Sequence, residues 1–391
     1  MMTMILLSAF NPNILLFVLI GLVVIFLGAL LRHYKQPYVV AYILAGVLLG
    51  KHGFKIITNT ELIDGLGEFG LILILFFIGM EINLPNFIKK WKVAVFGTIL
   101  QILASILIVT LIGYFFNWQF NRIIILGFVI SLSSSAVIIK LLQDNNESSS
   151  ELGENIISIL LMQDILIVPM LIATNYLGGS KPETSEIILQ AVGGILLIIG
   201  IVWILKEQEI TIPFSKSFEK DHELQVFFAF SLCFGCAVMT SLFGLSAALG
   251  AFVAGMVVNS AKSTQWFHDS LNSFRIIFVA LFFVSIGMLI DAKFFLIHWK
   301  IICILIFTIY LSNTFINAFI LQYFEKNWKR SIYGGAMLAQ IGELSFVLIS
   351  TAYFANVITE FTYQLTIIIT ALTLLMSPFW IVLTKKVLKL K

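Results

Sequence analysis

Charge is scarce in this chain. Of 391 residues only 12% are Asp, Glu, Lys or Arg, against about 25% in an ordinary soluble domain, so water cannot be the main solvent for its surface. Cysteine is scarcer still: Cys233, Cys236 and Cys303 all lie in apolar stretches, and no disulfide framework follows. Cys233 and Cys236 have C-x-x-C spacing, but neither a histidine nor a second pair stands near to complete a metal site, and buried packing is the better reading. The excess of basic over acidic residues is only +3 and the Lys and Arg are confined to loops, which removes nucleic acid as a partner. The start of the chain lacks a basic region followed by a small-residue cleavage site. Its first apolar run therefore reads as a retained span rather than a signal peptide.

Apolar residues fill the space the charges leave, at 60% of the chain with 36 Phe among them. About 20 consecutive apolar residues cross the hydrocarbon of a bilayer, and a helix satisfies its own backbone there. Charges, turn residues and run length place spans near 12–31, 37–50, 63–80, 93–115, 122–140, 153–177 and 187–205, then near 223–243, 245–260, 274–290, 298–322, 332–354 and 362–384. The second is short and must borrow polar flanks or tilt. With these 13 spans, about three-quarters of the Lys and Arg fall on one set of alternate loops, which puts the N-terminus outside and the C-terminus in the cytoplasm. The expected protein is an all-α, multi-pass plasma-membrane protein, one transmembrane domain over residues 1–391 without a soluble C-terminal regulatory domain.

An ionisable group at membrane depth is a functional hypothesis by default, because a charge there costs several kcal/mol. Most acids cluster in loops, Asp144, Glu147, Glu151 and Glu154 among them, and read as solvated faces. Asp164 lies near the middle of the sixth span and Glu343 near the middle of the twelfth. The five histidines lie at span ends or in loops. In a low dielectric the ionised form of a lone aspartate is disfavoured, so a proton and a cation compete for it, and that competition couples two flows. The bland alternative is a protonated aspartate bonded to a neighbouring helix. Asp164 has polar company that mere packing does not need: Gln163 beside it, and Ser131, Ser133, Ser134 and Ser135 at the centre of the fifth span. Serines bond back to the backbone and bend helices, and hydroxyls with freed carbonyls are the oxygen ligands a hard cation takes. A second interruption, Gln340 to Gly342, follows seven spans later, as two broken helices in corresponding positions of two repeats would. Pro169 disturbs the carbonyl of Ile165, or is an ordinary tolerated kink.

Several ordered motifs resemble the Kef-type members of the cation:proton antiporter-2 family over nearly the whole chain. They are Tyr42 to Gly46, Leu75 to Glu81, Ser131 to Val137, Gln163 to Ile165, Gly250 to Gly255, Leu281 to Met288 and Ala339 to Glu343. The resemblance implies 13 helices in two inverted repeats with two discontinuous crossing helices, a core domain and a dimerisation domain, and an elevator-like movement of the core. It implies that Asp164 binds K⁺ or Na⁺ in exchange for H⁺, with Ser133 and Ser134 at the crossing and Gln163 offering an amide oxygen. Ser135, Gln340, Asn313 and Glu343 stand in support, Glu343 chiefly by orienting the broken helix or bonding backbone amides. Gln163 replaces a second acid found in some relatives, and this implies electroneutral exchange of one cation for one proton.

Two departures from the family pattern stand out. A position where many relatives carry a membrane lysine is Asn313 here, and the loop after the ninth span contains only Asp269 where glutathione-gated relatives have an acidic stretch. The chain looks more similar to short antiporters linked to spore germination. Implied partners are the monovalent cation and proton, the bilayer and a second copy of the chain, with room for a separate regulatory subunit and no cofactor beyond the transported ions. The competing classes are a passive or ligand-gated K⁺ channel, which needs rings of carbonyls or charges, a Na⁺-coupled solute symporter, and a sensor that binds ions without moving them. The choice between K⁺ and Na⁺ stays open, with the resemblance favouring K⁺.

Overall fold

A computed structural model describes residues 12–33, 36, 38–57, 61–81, 90–178, 188–189, 192–197, 199–200, 221–245, 247–259 and 265–390. Among these, every regular element is a helix: α1 (Pro12–His33), α2 (Tyr38–Leu49), α3 (Glu61–Glu81), α4 (Trp91–Phe115), α5 (Phe120–Ser131), α6 (Ser135–Asp144), α7 (Glu151–Leu177), α8 (His222–Leu242), α9 (Ala247–Asn259), α10 (Gln265–Leu289), α11 (Ala292–Glu325), α12 (Trp328–Met337), α13 (Leu344–Phe354) and α14 (Glu360–Val387). The expected spans appear in order, the fifth split into α5 and α6 and the twelfth into α12 and α13. Part of the seventh span (187, 190–191, 198 and 201–205), the Asp269 side chain and that of Asp144 lie outside the described residues.

Local chemistry sets the starts. Ser150, Asp291, Asn327 and Thr359 each accept a first-turn amide of the helix that follows, which satisfies donors a helix cannot satisfy itself. Two expected boundaries move. α10 begins at Gln265 and α11 runs from Ala292 to Glu325, because charged residues such as Lys293 and Arg275 sit within helices that continue past the membrane surface. At 34 residues, α11 is about 51 Å long.

The elements repeat. α2 and α9, with 12 and 13 residues, are the short pair, and α7 and α14, with 27 and 28, are the long one. Pro169 lies 18 residues beyond Glu151 in α7, and Pro378 lies 18 beyond Glu360 in α14. Helices α2 and α10 cross with backbones in contact, so that a Cβ on Gly46 would meet Val284 O at 2.1 Å and one on Gly287 would meet Ile43 O at 2.2 Å. The same crossing recurs between α3 and α9, where a Cβ on Gly79 would meet Phe252 O at 2.2 Å and one on Gly255 would meet Phe76 O at 2.0 Å. Small residues allow this approach within a membrane. The short α2 packs along α10, with Val40, Ala41, Ile43, Ala45 and Leu49 buried and Tyr38 at its start exposed.

Helices α1–α3 and α8–α10 form one bundle, and α4–α7 and α11–α14 form the other, the expected core. The bundles meet where Gln364 of α14 clasps the α10–α11 link: its Nε2 donates to Leu289 O at 2.7 Å, and Asp291 N donates to its Oε1 at 3.0 Å. Exposed Leu103, Leu107 and Leu111 form a stripe on α4, and Ile304, Phe307 and Phe315 one on α11, apolar surface suited to lipid.

Candidate ion site at the crossing of two broken helices

Two breaks meet inside the core. The first opens because Ser131 Oγ bonds back to Phe128 O at 2.7 Å and Leu132 turns to an extended conformation, a local bond that competes with the helix. The second spans residues 338–343. They touch main chain to main chain: Gly342 N donates to Leu132 O at 2.8 Å. Only glycine fits there, since a Cβ would lie 2.5 Å from both C and O of Ser133.

Breaking a helix in lipid exposes carbonyls, and each exposed carbonyl needs a donor. At the end of α5, Ser345 Oγ donates to Val129 O at 2.9 Å and Asn313 Nδ2 to Ile130 O at 3.0 Å. Beyond the end of α12, Ser133 Oγ donates to Leu338 O at 2.7 Å, while Asn313 Nδ2 also reaches Ala339 O at 3.1 Å and Asn317 Nδ2 reaches Leu338 O at 3.4 Å. Asn313 thus bridges both breaks, and the negative ends of α5 and α12 are met by neutral amides and hydroxyls.

Asp164, 5% exposed, lies beside the first break. Its Oδ2 accepts from Ser135 Oγ at 2.7 Å, and Ser135 is the first residue of α6. The carboxylate is held at a helix N-terminus, where the partial positive charge favours an anion. Gln163 Oε1 accepts from Ser133 N at 2.9 Å, and its Nε2 donates to Gln101 Oε1 on α4 at 2.7 Å. Gln163 therefore stitches the break to two helices.

The expected site residues come together with different roles. Ser135, ranked as supporting, is the serine on Asp164, while Ser134 Oγ accepts from Val137 N at 3.3 Å and so caps α6. Gln340 is fully buried, with neither amide atom hydrogen-bonded. Glu343 precedes α13 and makes no side-chain bond to its first turn, so it does not orient that helix by capping its amides. Glu147, read as part of a solvated face, is instead tied in: Tyr333 OH donates to its Oε2 at 3.1 Å, and Lys385 Nζ lies 3.3 Å from its Oε1.

Sequence reasoning passed over Gln101, Asn317 and Thr373, because it counted ionisable groups. Thr373 lies 13 residues beyond Glu360, as Asp164 lies 13 beyond Glu151. Its Oγ1 accepts from Ile341 N at 3.3 Å, and Tyr310 OH donates to its main-chain oxygen. A single amide or hydroxyl in a run of apolar residues was the available signal.

A helical membrane protein with two broken helices crossed at a buried carboxylate belongs to the class of secondary transporters built from inverted repeats. Residues 17–385 match the model of the sodium/hydrogen exchanger transmembrane family, and the chain belongs to that family, one of cation:proton antiporters. Among its relatives, the iron transporter MagA of Paramagnetospirillum magneticum is 31% identical over 95% of this chain and 85% of its own length. K(+) efflux antiporter 5 of Arabidopsis thaliana is 32% identical over 88% of this chain, which spans only 61% of that protein. The putative cation/proton antiporter YbaL of Escherichia coli is 28% identical over 94% of this chain and 68% of its own length. The sodium proton antiporter MjNhaP1 of Methanocaldococcus jannaschii superposes with a TM-score of 0.68 over 97% of this chain and all of its own, at 16% identity, and so shares the fold.

Proposed function

We propose that the chain exchanges K⁺ for H⁺ across the plasma membrane, one for one, with Asp164 holding either ion but not both. The observation that carries this reading is the seating of Asp164 on Ser135 at the start of α6. The carboxylate stands among hydroxyl, amide and main-chain oxygens, the hard ligands an alkali cation takes. Gln163 adds an oxygen but no second exchangeable proton, which keeps the exchange electroneutral. The core moves as a body against α1–α3 and α8–α10, carrying the ion past them, and two copies of the chain assemble through that second bundle. The N-terminus faces outside and the C-terminus the cytoplasm. Similarity to K(+) efflux antiporters favours K⁺ over Na⁺.

The name of MagA raises iron as a second cargo. Iron(II) is favoured by imidazole and thiolate ligands, whereas no three His, Cys, Asp or Glu come together among the described residues. A single experiment covers both: proteoliposomes with a pH-reporting dye, challenged with Li⁺, Na⁺, K⁺, Rb⁺ and Fe²⁺. K⁺ should drive proton movement without generating a membrane potential, and Asp164→Asn should abolish it while the protein remains monodisperse. Undiminished exchange in the variant would sink the role of Asp164. A K⁺-dependent voltage without ionophore would overturn the one-for-one ratio.

A further inference from the structure

Behind the crossing lies a cavity whose lining includes none of Asp164, Gln163, Ser133, Ser134 and Ser135. The space inside it is narrow, about 90 Å³, and it opens outward, so it suits one extended chain rather than a bulky ligand. Only core elements line it: α4, α5, α11, α14, the turn at Trp118, and Ile341. Its walls are apolar, with Ile108, Leu126, Leu305, Ile309, Leu365 and Ile369 facing in. Three hydroxyls on the walls are occupied by their own helices: Thr308 Oγ1 on Ile304 O at 2.8 Å, Ser312 Oγ on Ile309 O at 3.2 Å and Thr366 Oγ1 on Thr362 O at 2.7 Å. Ser105 Oγ and Asn313 Oδ1, also on the lining, have no hydrogen bond.

One charge stands in the lining. Arg122, third residue of α5, lies with its guanidinium carbon 4.2 Å from the centroid of the Trp118 ring, and its Nε is buried without a hydrogen bond. No acid pairs with it among the described residues. A cation in the first turn of a helix opposes the macrodipole, and Gln119, the residue before α5, gives that turn no side-chain cap. Unpaired guanidinium and uncapped turn both favour an anion, and a guanidinium stacked on a ring keeps its edge free for two parallel bonds to phosphate. An anionic head beside an apolar chamber at the membrane surface describes one kind of molecule.

We propose that an anionic phospholipid occupies this cavity, its phosphate on Arg122 and one acyl chain between α4, α11 and α14. The chain end lies against Ile341 and Asn313, which tie the second break to Thr373 and to α5, so the lipid braces the crossing from behind. The site is independent of which ion Asp164 binds, and its test does not measure transport.

The experiment is native mass spectrometry of the detergent-purified chain with phosphatidylglycerol or phosphatidylcholine, alongside unfolding temperature. The wild type should retain one phosphatidylglycerol at a lipid concentration at least five-fold lower than it needs for phosphatidylcholine, and phosphatidylglycerol should raise its unfolding temperature. Arg122→Gln should erase that preference. Ile309→Trp, or Leu365→Trp on a different wall should the first fail to fold, fills the chamber and should abolish retention of either lipid. Equal retention by Arg122→Gln, or a lipid retained by the filled variants, overturns the proposal. So does competition by glycerol phosphate at the concentration of the lipid, which would make the site one for free phosphate esters.

Discussion

The two broken spans are built alike and equipped differently. Each ends one half-helix in carbonyls that partners across the crossing satisfy, and each lies against a long helix with proline 18 residues from its start. Where α7 offers Asp164 to the first break, however, α14 offers Thr373 to the second. The prolines differ too. Pro378 removes the amide that would serve Leu374 O, and Ser377 Oγ takes that carbonyl at 2.9 Å; Pro169 does the same to Ile165 O, and the residue before it, Val168, has no hydroxyl to give. At the second break α14 brings a hydroxyl rather than a carboxylate, and the buried amide of Gln340 makes no hydrogen bond. The first keeps a carboxylate and carbonyl chemistry in one place, and the ion chemistry is proposed there alone.

After loss of exchange in Asp164→Asn, the largest expected effect comes where the halves touch. Gly342→Ala would push a methyl into Ser133 O and C at 2.5 Å and to within 2.9 Å of Ser134 N. Backbone on both sides cannot yield as a side chain would, so the cost should be about 3 kcal/mol or more. Yield of monodisperse protein and unfolding temperature should both fall sharply. A stable, active Gly342→Ala would mean that the breaks do not bear on one another as described.

Gln163→Leu should come next, because it acts on the first break only. It strips the acceptor from Ser133 N and the donor from Gln101 Oε1, leaving buried polar groups unsatisfied at about 1–3 kcal/mol each. Both stability and exchange should drop, unlike in Asp164→Asn, where exchange alone is lost. Thr373→Val is the control on the other side. It removes the acceptor of Ile341 N, a long bond whose loss should cost about 1 kcal/mol, and exchange should persist within a few-fold of wild type. Loss of exchange at wild-type stability in Thr373→Val would break the asymmetry between the halves.

How far this was legible in the sequence depends on what kind of residue carried the signal. The breaks could be placed because Ser131 to Ser135 and Gln340 to Gly342 are unlike the apolar runs around them. Asp164 could be found because a charge in lipid is costly. Asn313 was noticed as a neutral residue, but its grip on both breaks joins Ile130 to Ala339, a contact no spacing rule reveals. Gln101 and Thr373 went unseen because one neutral polar group costs little enough to occur anywhere in a membrane helix. Glu147 was misread because loop acids are usually solvated, and its partners Tyr333 and Lys385 arrive from α12 and α14. The ends of α10 and α11 shifted for a related reason: a charge marks the membrane surface, and a helix need not stop there.

The smallest effect should come from Ser135→Ala, and it separates binding from scaffolding within the first break. The hydroxyl donates one 2.7 Å bond to Asp164 and anchors no half-helix, so the fold should be unchanged. A bond to a charged group is worth about 1.5–3 kcal/mol, and it supports the ionised carboxylate that would receive the cation. In the cation-bound state the metal takes over part of that support, so only a fraction of this energy should appear in binding. At fixed pH, the K⁺ concentration for half-maximal exchange should rise roughly three- to ten-fold, the equivalent of about 0.7–1.4 kcal/mol, with little change in maximal rate. Ser134→Ala, which loses only the cap on Val137, should shift unfolding temperature and leave that concentration where it was. If the two serines exchanged these effects, the ion would have to be placed on the Ser134 side of α6.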